Sequence, residues 1–273
     1  MFTALDVTTT GGTVRARRRA KFHQVDEFLR VLDPALDAAH LRSLTRSLRL
    51  VDLGCGNAYL TFAAHAYLSD ILPDTPPLVV GIDIRESSRQ HNQAVADQLG
   101  ISDSVTFITG AIDDIPPTVN GEPPDIVMAL HACDTATDDA LAAAVKSGAR
   151  LLLVSPCCHH DVQQQLSEQK GAGLASPILR YALLRERFGD VLTDVARSEI
   201  LRLLGFRVDV VEFVDSEHTP RNLMIRAIRT GAPADSQRWN EYDTLVSDWE
   251  LRPRLATLLA AELAAARVAE VNR

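Results

Sequence analysis

Cysteine is scarce in this chain, and long apolar runs are missing from it. Four cysteines among 273 residues cannot form the disulfide framework of a small secreted protein. No apolar run reaches the length of a membrane-spanning helix, and no N-terminal stretch has the pattern of a signal peptide. We therefore expect a cytoplasmic protein with reduced thiols and no membrane partner. The four cysteines are Cys55, Cys133, Cys157 and Cys158.

Positive charge is also in short supply, because 36 acidic residues outnumber 28 basic ones and give a formal net charge of −8. A protein that wraps long nucleic acid is usually basic, so this balance argues against wide contact with phosphate groups. The exception is local: residues 15–21, RARRRAK, include five basic side chains. Two interpretations stay open for this segment, a solvated helix face or a patch that steers phosphate groups.

What the chain does contain is an alternation of short apolar stretches with amphipathic ones, in a sequence that is 46% hydrophobic. Strands that alternate with helices imply right-handed crossovers and a mainly parallel sheet covered on both faces. Strands are predicted at 48–56, 78–84, 104–110, 123–133, 149–158, 206–215 and 222–229. Helices are predicted at 15–32, 35–47, 58–70, 87–100 and 135–148, within 161–204, and within 237–270.

The predicted organisation has three parts. A helical segment occupies residues 1–47, and an α/β domain occupies residues 48–230. Residues 231–273 form a linker, which begins with GAPADS, and a helical tail rich in Ala and Leu. No internal repeat is found, so a solenoid or propeller is not expected.

The first strand is followed by a glycine-rich turn, in the segment VDLGCGNAYL at 51–60. Gly54 and Gly56 allow the backbone to pass close to a ligand, and the start of the next helix offers free N–H groups. Dinucleotide-binding turns carry a third glycine, but Tyr59 stands at that position here. The turn therefore fits a dinucleotide poorly.

This turn resembles motif I of the class I S-adenosylmethionine-dependent methyltransferases, and the resemblance continues in GIDIR at 81–85 and TGAIDD at 109–114. It implies the class I methyltransferase (Rossmann-like) fold, an α/β sheet of seven strands with helices on both faces, and S-adenosyl-L-methionine as the cofactor. It also implies that Asp83 holds the ribose, since one carboxylate can accept both hydroxyl hydrogen bonds. The implied cofactor-binding residues are Asp52, Gly54, Cys55, Gly56, Asp83, Ile84, Ile112 and Asp113.

A second set of candidates follows the fourth and fifth predicted strands, in ALHACDTATD at 129–138 and VSPCCHHD at 154–161. In open α/β sheets, ligands bind beyond the carboxyl ends of the strands. The class I strand order makes these two strands neighbours, so their tips are expected to face the transferable methyl group. The candidate catalytic residues are His131, Cys133, Asp134, Cys157, Cys158 and His159.

The two strand tips resemble a narrower group of methyltransferases. LHACDTATD at 130–138 partly matches the Leu-Cys-Gly-x-x-Thr-Asp of tRNA 2′-O-methyltransferases that act on the acceptor stem, and CCHH at 157–160 matches their Cys-Cys-His-His. Together with SEHTPRNLMIRA at 216–227, these motifs are also similar to the methyltransferase-like 25 group. The resemblance covers residues 15–230 and implies an RNA substrate, although Asp134 stands where the tRNA enzymes have glycine.

Several interpretations of these tips stay open. Direct transfer to an oxygen or nitrogen acceptor would use His131, Asp134 or His159 to orient or deprotonate the acceptor. Covalent catalysis of the cytosine-C5 kind would use a thiolate of Cys157 or Cys158. Zinc ligands are usually separated by about two to four residues, so no resident metal is predicted from these adjacent pairs. The same residues can also serve only to pack the tips or to begin the next helix.

The leading prediction is an RNA methyltransferase that transfers the methyl group directly. A protein or small-molecule methyltransferase and a non-catalytic module that binds the cofactor or zinc are the alternatives. The fourth strand lacks the Asp/Asn-Pro-Pro-aromatic motif, which disfavours methylation of an exocyclic base amine. The loop TPRN at 219–222 is either a hairpin turn or a substrate loop in which Arg221 meets a phosphate or carboxylate.

Overall fold

A single sheet of seven strands runs through the computed structural model, which describes residues 19–130, 132–157, 159–168, 175–212 and 223–271. Each strand falls inside a segment that the sequence pattern predicts as a strand. The strands are β1 (Arg49–Leu53), β2 (Leu78–Asp83), β3 (Val105–Thr109), β4 (Ile126–Ala129), β5 (Leu151–Val154), β6 (Phe206–Glu212) and β7 (Leu223–Arg229).

The order of the strands across the sheet is β3-β2-β1-β4-β5-β7-β6. The strands β1 to β5 are parallel, whereas β7 is antiparallel to its two neighbours, β5 and β6. In this order β4 and β5 are direct neighbours, with Ala129 opposite Val154. The predicted class I methyltransferase sheet is therefore confirmed, and the carboxyl ends of β1 to β5 meet at one edge.

Helices connect the strands and flank the sheet. Within the described residues they are α1 (Arg19–Ala38), α2 (Tyr59–Ile71), α3 (Glu86–Leu99), α4 (Thr135–Lys146), α5 (His160–Glu168), α6 (Ala175–Arg180), α7 (Ala182–Leu203), α8 (Ser236–Asp248), α9 (Arg254–Leu258) and α10 (Ala260–Val271). None of the helices in this described part is both long enough and apolar enough to cross a bilayer.

Two apolar cores lie on the two faces of the sheet. Successive side chains of a strand point to opposite faces, so Leu50 belongs to one core and Val51 to the other. The first core contains Phe28 of α1, Phe62 of α2 and Val95 of α3. Helices α4, α7, α8 and α9 cover the second face. Because both faces are covered, β4 and β5 are buried at every position, which explains their continuous apolar sequences.

The N-terminal helical segment differs from its prediction. We expected helices at 15–32 and 35–47, but α1 continues through Pro34 to Ala38, and residues 39–48 are not helical. A proline inside a helix removes one backbone hydrogen bond. The apolar face continues across Pro34, however, because Leu32 and Leu36 are both fully buried in the first core. This burial on the sheet outweighs the local cost of the proline.

The C-terminal tail packs on the second face of the sheet. Trp239 and Tyr242 of α8 and Leu255 of α9 all belong to the second core. Arg267 of α10 lies over the ring of Trp239, 4.3 Å from its centroid. The tail therefore shares a core with β1, β4 and β5, although the sequence sets it apart behind a linker.

Candidate functional site

The turn between β1 and α2 is held against β2 by backbone hydrogen bonds. Gly54 N and Cys55 N both donate to the carbonyl oxygen of Ile82, at 2.8 and 3.0 Å. Gly54 and Gly56 have φ angles of 74° and 56°, which glycine adopts without the steric cost of a side chain. The turn is therefore fixed beside the end of β2, where Asp83 lies.

The Asp83 carboxylate is the centre of what we call the cofactor corner (residues 52–56 and 83–85). Its Oδ2 accepts a hydrogen bond from Gly56 N at 2.8 Å, and its Oδ1 accepts from Arg85 N at 2.9 Å and from Arg85 Nε at 3.1 Å. Burial raises the pKa of Asp83, but the hydrogen bonds from Arg85 and Gly56 outweigh burial and hold the pKa below its ordinary value. Asp83 is therefore an ionised hydrogen-bond acceptor at neutral pH.

Asp52 and Cys55 lie inside this corner and are only 3% and 2% exposed. The Thr61 hydroxyl donates to Asp52 Oδ2. Burial, reinforced by the nearby charge of Asp83, raises the pKa of Asp52 to about 7 even though the Thr61 hydrogen bond lowers it. Burial likewise raises the pKa of the Cys55 thiol. Cys55 is therefore a neutral packing residue, while Asp52 changes its charge near neutral pH.

Ile84, Ile112 and Asp113 are the remaining predicted cofactor residues, and Ile84 directly follows Asp83. The Ile84 side chain is 71% exposed although it directly follows a buried strand. Ile112 and Asp113 line a cleft of about 470 Å³ between the 112–123 segment and α4. An exposed isoleucine beside an ionised carboxylate suits a nucleoside, whose ring can pack on the apolar side chain while its hydroxyls donate to the carboxylate.

The tips of β4 and β5 form a second corner, the acceptor corner (residues 132–134, 155–157 and 159–161). Ser155 N donates to Ala129 O at 3.1 Å, so the two strands stay paired to their ends. Asp134 Oδ1 accepts from Asp161 N at 3.3 Å and joins the two tips. The thiol of Cys133 is exposed, and that of Cys157 is half-buried. Three predicted candidates, His131, Cys158 and the 219–222 loop, lie outside the described residues.

His159 is placed inside the protein rather than on the wall of the acceptor corner. It is 3% exposed, and its Nε2 lies 3.0 Å from Asp194 Oδ1. Its Nδ1 lies 3.2 Å from Asp190 Oδ1, but this contact lacks the alignment of a hydrogen bond. Both ring nitrogens therefore face carboxylates of α7.

A family model described as a methyltransferase domain matches residues 20–165, more than half of the 273 residues. The chain belongs to this methyltransferase family. The predicted enzyme class is thereby confirmed, and S-adenosylmethionine is its methyl donor. The matched segment contains β1 to β5, and with them the cofactor corner and both strand tips of the acceptor corner.

Solved structures of similar fold include several methyltransferases. Magnesium protoporphyrin IX methyltransferase from Synechocystis PCC 6803 is 18% identical at a TM-score of 0.46, over 80% of this chain and 90% of that chain. TrmK from M. capricolum is 9% identical at 0.41, over 74% and 70%. The ribosomal protein L11 methylase from Lactobacillus delbrueckii subsp. bulgaricus is 15% identical at 0.39, over 72% and 76%. These distant likenesses do not define a substrate. A comparison with curated proteins finds no match.

The methyltransferase also contains buried charged residues that the sequence analysis did not single out. Arg197 of α7 is 2% exposed and donates to both carboxylate oxygens of Asp138, at 3.0 and 2.7 Å. Asp190, Asp194 and Arg197 are spaced by four and three residues, so they share one face of α7. This spacing was visible in the sequence, but nothing in the sequence indicated that the face is buried against α4 and His159.

One cluster of potential metal ligands lies on the surface of the described part of the methyltransferase. There, the group of His, Cys, Asp and Glu side chains close enough to share an ion is His23, Asp26 and Glu27, on α1. Arg30 pairs with both of its carboxylates, at 3.1 Å each. This charge neutralisation makes the group a network of surface ion pairs, and it includes no residue of the acceptor corner.

Proposed function

We propose that this methyltransferase transfers the methyl group directly to an oxygen or nitrogen atom of an RNA at the acceptor corner. S-adenosylmethionine, when bound, supplies a methyl group that is already activated by its sulfonium. Positioning of the acceptor can then supply much of the rate, and no covalent enzyme intermediate is required.

The cofactor corner is proposed to hold the donor by three kinds of contact. Ionised Asp83 accepts hydrogen bonds from the ribose hydroxyls. The exposed Ile84 packs on the adenine, with Ile112 and Asp113 at the border of the ring. Four residues lie toward the amino-acid end of the donor, namely Asp52, Gly54, Cys55 and Gly56. The methyl group would then face the tip of β4, because the turn lies beside it: a Cβ on Gly54 would be in van der Waals contact with Ala132 N, at 3.6 Å.

The acceptor corner is proposed to orient the nucleophile and receive its proton. Asp134 is half-buried at the tip of β4, so its carboxylate can meet both solvent and an acceptor hydroxyl. His159 supports the corner from behind, since both of its ring nitrogens face α7. Among the described residues, Asp134 is therefore our candidate for the general base, and His159 is not.

RNA is the proposed substrate class because the described end of a basic segment, residues 19–21, adjoins this edge of the sheet. The ammonium of Lys21 lies 3.7 Å from the centroid of the Tyr59 ring, and Tyr59 begins α2 directly after the glycine-rich turn. This contact, which carries the proposal, ties the end of the RARRRAK segment to the cofactor corner. The similarity of the strand tips to tRNA 2′-O-methyltransferases and to the methyltransferase-like 25 group supports the same substrate, and a cytoplasmic location agrees with it.

The test uses S-adenosylmethionine labelled in its methyl group. Purified protein is incubated with total RNA, total protein and small-molecule extract from a strain that lacks this chain, and modified nucleosides are identified by mass spectrometry. We expect label in RNA alone, at one nucleoside, and none with Asp83→Ala. Label in the protein or small-molecule fraction without label in RNA would contradict the proposal.

The basic segment can be tested separately by salt dependence. Each phosphate contact changes the slope of log affinity against log salt by about 0.7 for single strands. Lys21→Ala is expected to weaken RNA binding and flatten this slope. Arg207→Ala, which removes an exposed positive charge from the edge strand β6, is the matched control and should leave the slope unchanged.

Covalent catalysis through a cysteine is the second candidate. It is favoured by the exposed Cys133 and the half-buried Cys157, which lie on neighbouring strand tips. If a thiolate attacks a pyrimidine ring, Cys133→Ser or Cys157→Ser should abolish turnover. If both variants keep full turnover on the identified RNA, neither Cys133 nor Cys157 acts as the nucleophile. That result supports direct transfer.

A further inference from the structure

A buried network of charged side chains connects α7 to the acceptor corner. Arg197 is only 2% exposed, and its side chain is enclosed among α4, α5 and α7. Its guanidinium binds Asp138 of α4 through two hydrogen bonds and lies 3.4 Å from Asp194 Oδ1. Two parallel hydrogen bonds to one carboxylate fix direction as well as distance.

One arm of this network reaches the tip of β4. Arg197 Nη2 donates to the carbonyl oxygen of Asp134 at 3.0 Å. Asp134 has φ 53° and ψ −125°, a backbone conformation that a residue with a side chain rarely adopts. Such a conformation persists only where surrounding contacts hold it in place. Arg197 holds the carbonyl and Asp161 N holds the carboxylate, so the chain direction after Cys133 depends on both contacts.

The other arm reaches the tip of β5. Asp194 contacts Arg197 on one side and His159 Nε2 on the other, at 3.0 Å. His159 lies two residues after Cys157 and directly before α5. The imidazole is therefore locked between the strand tip and α7. A single helix thus holds both strand tips that form the acceptor corner.

Stability alone is a weak reason for this arrangement. Removing charged groups from water costs free energy that a buried ion pair often only just recovers, and an apolar cluster of the same size can be equally stable. Buried ion pairs do fix geometry, because their hydrogen bonds are directional. In addition, both strand tips lie within the matched residues 20–165, whereas α7 lies outside them.

We propose that Arg197 and Asp194 are positioning residues for methyl transfer, which set the backbone at Asp134 and the imidazole of His159 and thereby the shape of the acceptor corner. This inference rests on the proposed function, because it assumes that the acceptor binds between the tips of β4 and β5. Neither residue touches the acceptor or the donor. Their effect passes through Asp134 and His159.

The test compares Arg197→Met and Asp194→Asn with Arg202→Met. Arg202 lies on the same helix in a half-exposed ion pair with Glu199, so its loss controls for removal of an arginine from α7. Affinity for S-adenosylhomocysteine is measured by calorimetry, and kcat is measured on the methylated RNA. For the two network variants we expect unchanged cofactor affinity and a kcat lowered about 100-fold, as small displacements of reacting groups produce. Arg202→Met should match the wild-type protein in both.

A second readout needs no substrate. The alkylation rates of Cys133 and Cys157 by iodoacetamide are followed by mass spectrometry in the folded proteins. Loosened strand tips should expose the half-buried Cys157 and raise its alkylation rate in both network variants, whereas Cys133, which is already exposed, should keep its wild-type rate. Asp194→Asn keeps the Arg197–Asp138 pair, so it decides the question if Arg197→Met does not fold.

Two results would overturn the positioning role. One is wild-type kcat together with wild-type alkylation in folded network variants. The other is a parallel loss of cofactor affinity and kcat, which general destabilisation would produce. If wild-type protein methylates no RNA, the proposed substrate fails, but the alkylation rates still decide whether the network holds the tips. The two failures are therefore distinguishable.

Discussion

The cofactor corner and the acceptor corner are built in different ways, although they share one edge of the sheet. The cofactor corner is made of neighbouring strands and a backbone turn, in which Gly56 N donates to Asp83. The acceptor corner is held from outside its strands by side chains of α7, with Arg197 63 residues beyond Asp134 and Asp194 35 residues beyond His159.

This difference determines which substitutions can change the geometry of each corner. A backbone turn with glycines depends on its local sequence, so its geometry is expected to survive changes elsewhere in the chain. A corner held by buried charges depends on distant residues, and the loss of one partner leaves another charge buried and unpaired. We therefore expect substitutions in α7 and in the tail to affect the acceptor corner more than the cofactor corner.

The largest effect is expected from Arg197→Met. It leaves Asp138 and Asp194 buried without their cation, which we expect to lower the free energy of unfolding by about 3–5 kcal/mol. Urea denaturation measures the change, with Arg202→Met as the control. If Arg197→Met lowers the free energy of unfolding no more than Arg202→Met does, the acceptor corner does not depend on buried charges of α7, and the contrast with the cofactor corner is lost.

The next effect concerns the tail. Leu255 of α9 is fully buried in the second core, and we expect Leu255→Ala to cost about 2–5 kcal/mol of the free energy of unfolding. Val268→Ala, at a side chain that is 60% exposed on α10, should stay within about 0.5 kcal/mol. Equal effects of the two substitutions would show that the tail contributes nothing to the core beside β4 and β5.

A smaller effect, confined to the cofactor corner, is expected from Asp83→Asn. The amide cannot supply a charged acceptor, so affinity for S-adenosylhomocysteine should fall by about 1.5–3 kcal/mol. Calorimetry measures this loss, and Asp97→Asn on the exposed face of α3 is the control. Unchanged affinity would remove Asp83 from the proposed cofactor site.

The smallest effect, counted over a single pH unit, is a pH dependence of stability from Asp52. Its pKa is about 7 in the folded protein against an ordinary value of 3.8, so the folded state binds the proton more tightly than the unfolded state. The stabilisation is complete below the ordinary value and is lost as pH rises to about 7, by at most about 1.4 kcal/mol for each pH unit.

Asp52→Asn tests this dependence. The free energy of unfolding of the wild-type protein minus that of Asp52→Asn should decrease as pH rises from 4 to 7, in denaturation curves recorded at each pH. Asp70→Asn, on the exposed surface of α2, controls for the removal of one carboxylate. A difference that stays constant over this range would contradict the raised pKa of Asp52.

The sequence allowed prediction that the glycine-rich turn and Asp83 lie together, because the signals for this are local. Gly54, Gly56 and Asp83 each stand at the end of an apolar run, and strand ends of a parallel sheet meet at one edge. The predicted helix at 35–47 was wrong, since the burial of Leu32 and Leu36 keeps α1 continuous across Pro34 and α1 ends at Ala38. The role of His159 was beyond prediction, since its partner Asp194 is 35 residues away on another helix.

By itself, the sequence determined the class of sheet, the strand that each functional segment follows and the ionisable groups available at each tip, because period and glycine placement act over a few residues. Only the tertiary structure decided which of those groups face solvent. Cys133 is exposed while His159 is enclosed, because two carboxylates of α7 lie against the ring of His159. The packing of α7 against the sheet brings together residues that are far apart in the sequence, and no local sequence pattern indicates such contacts.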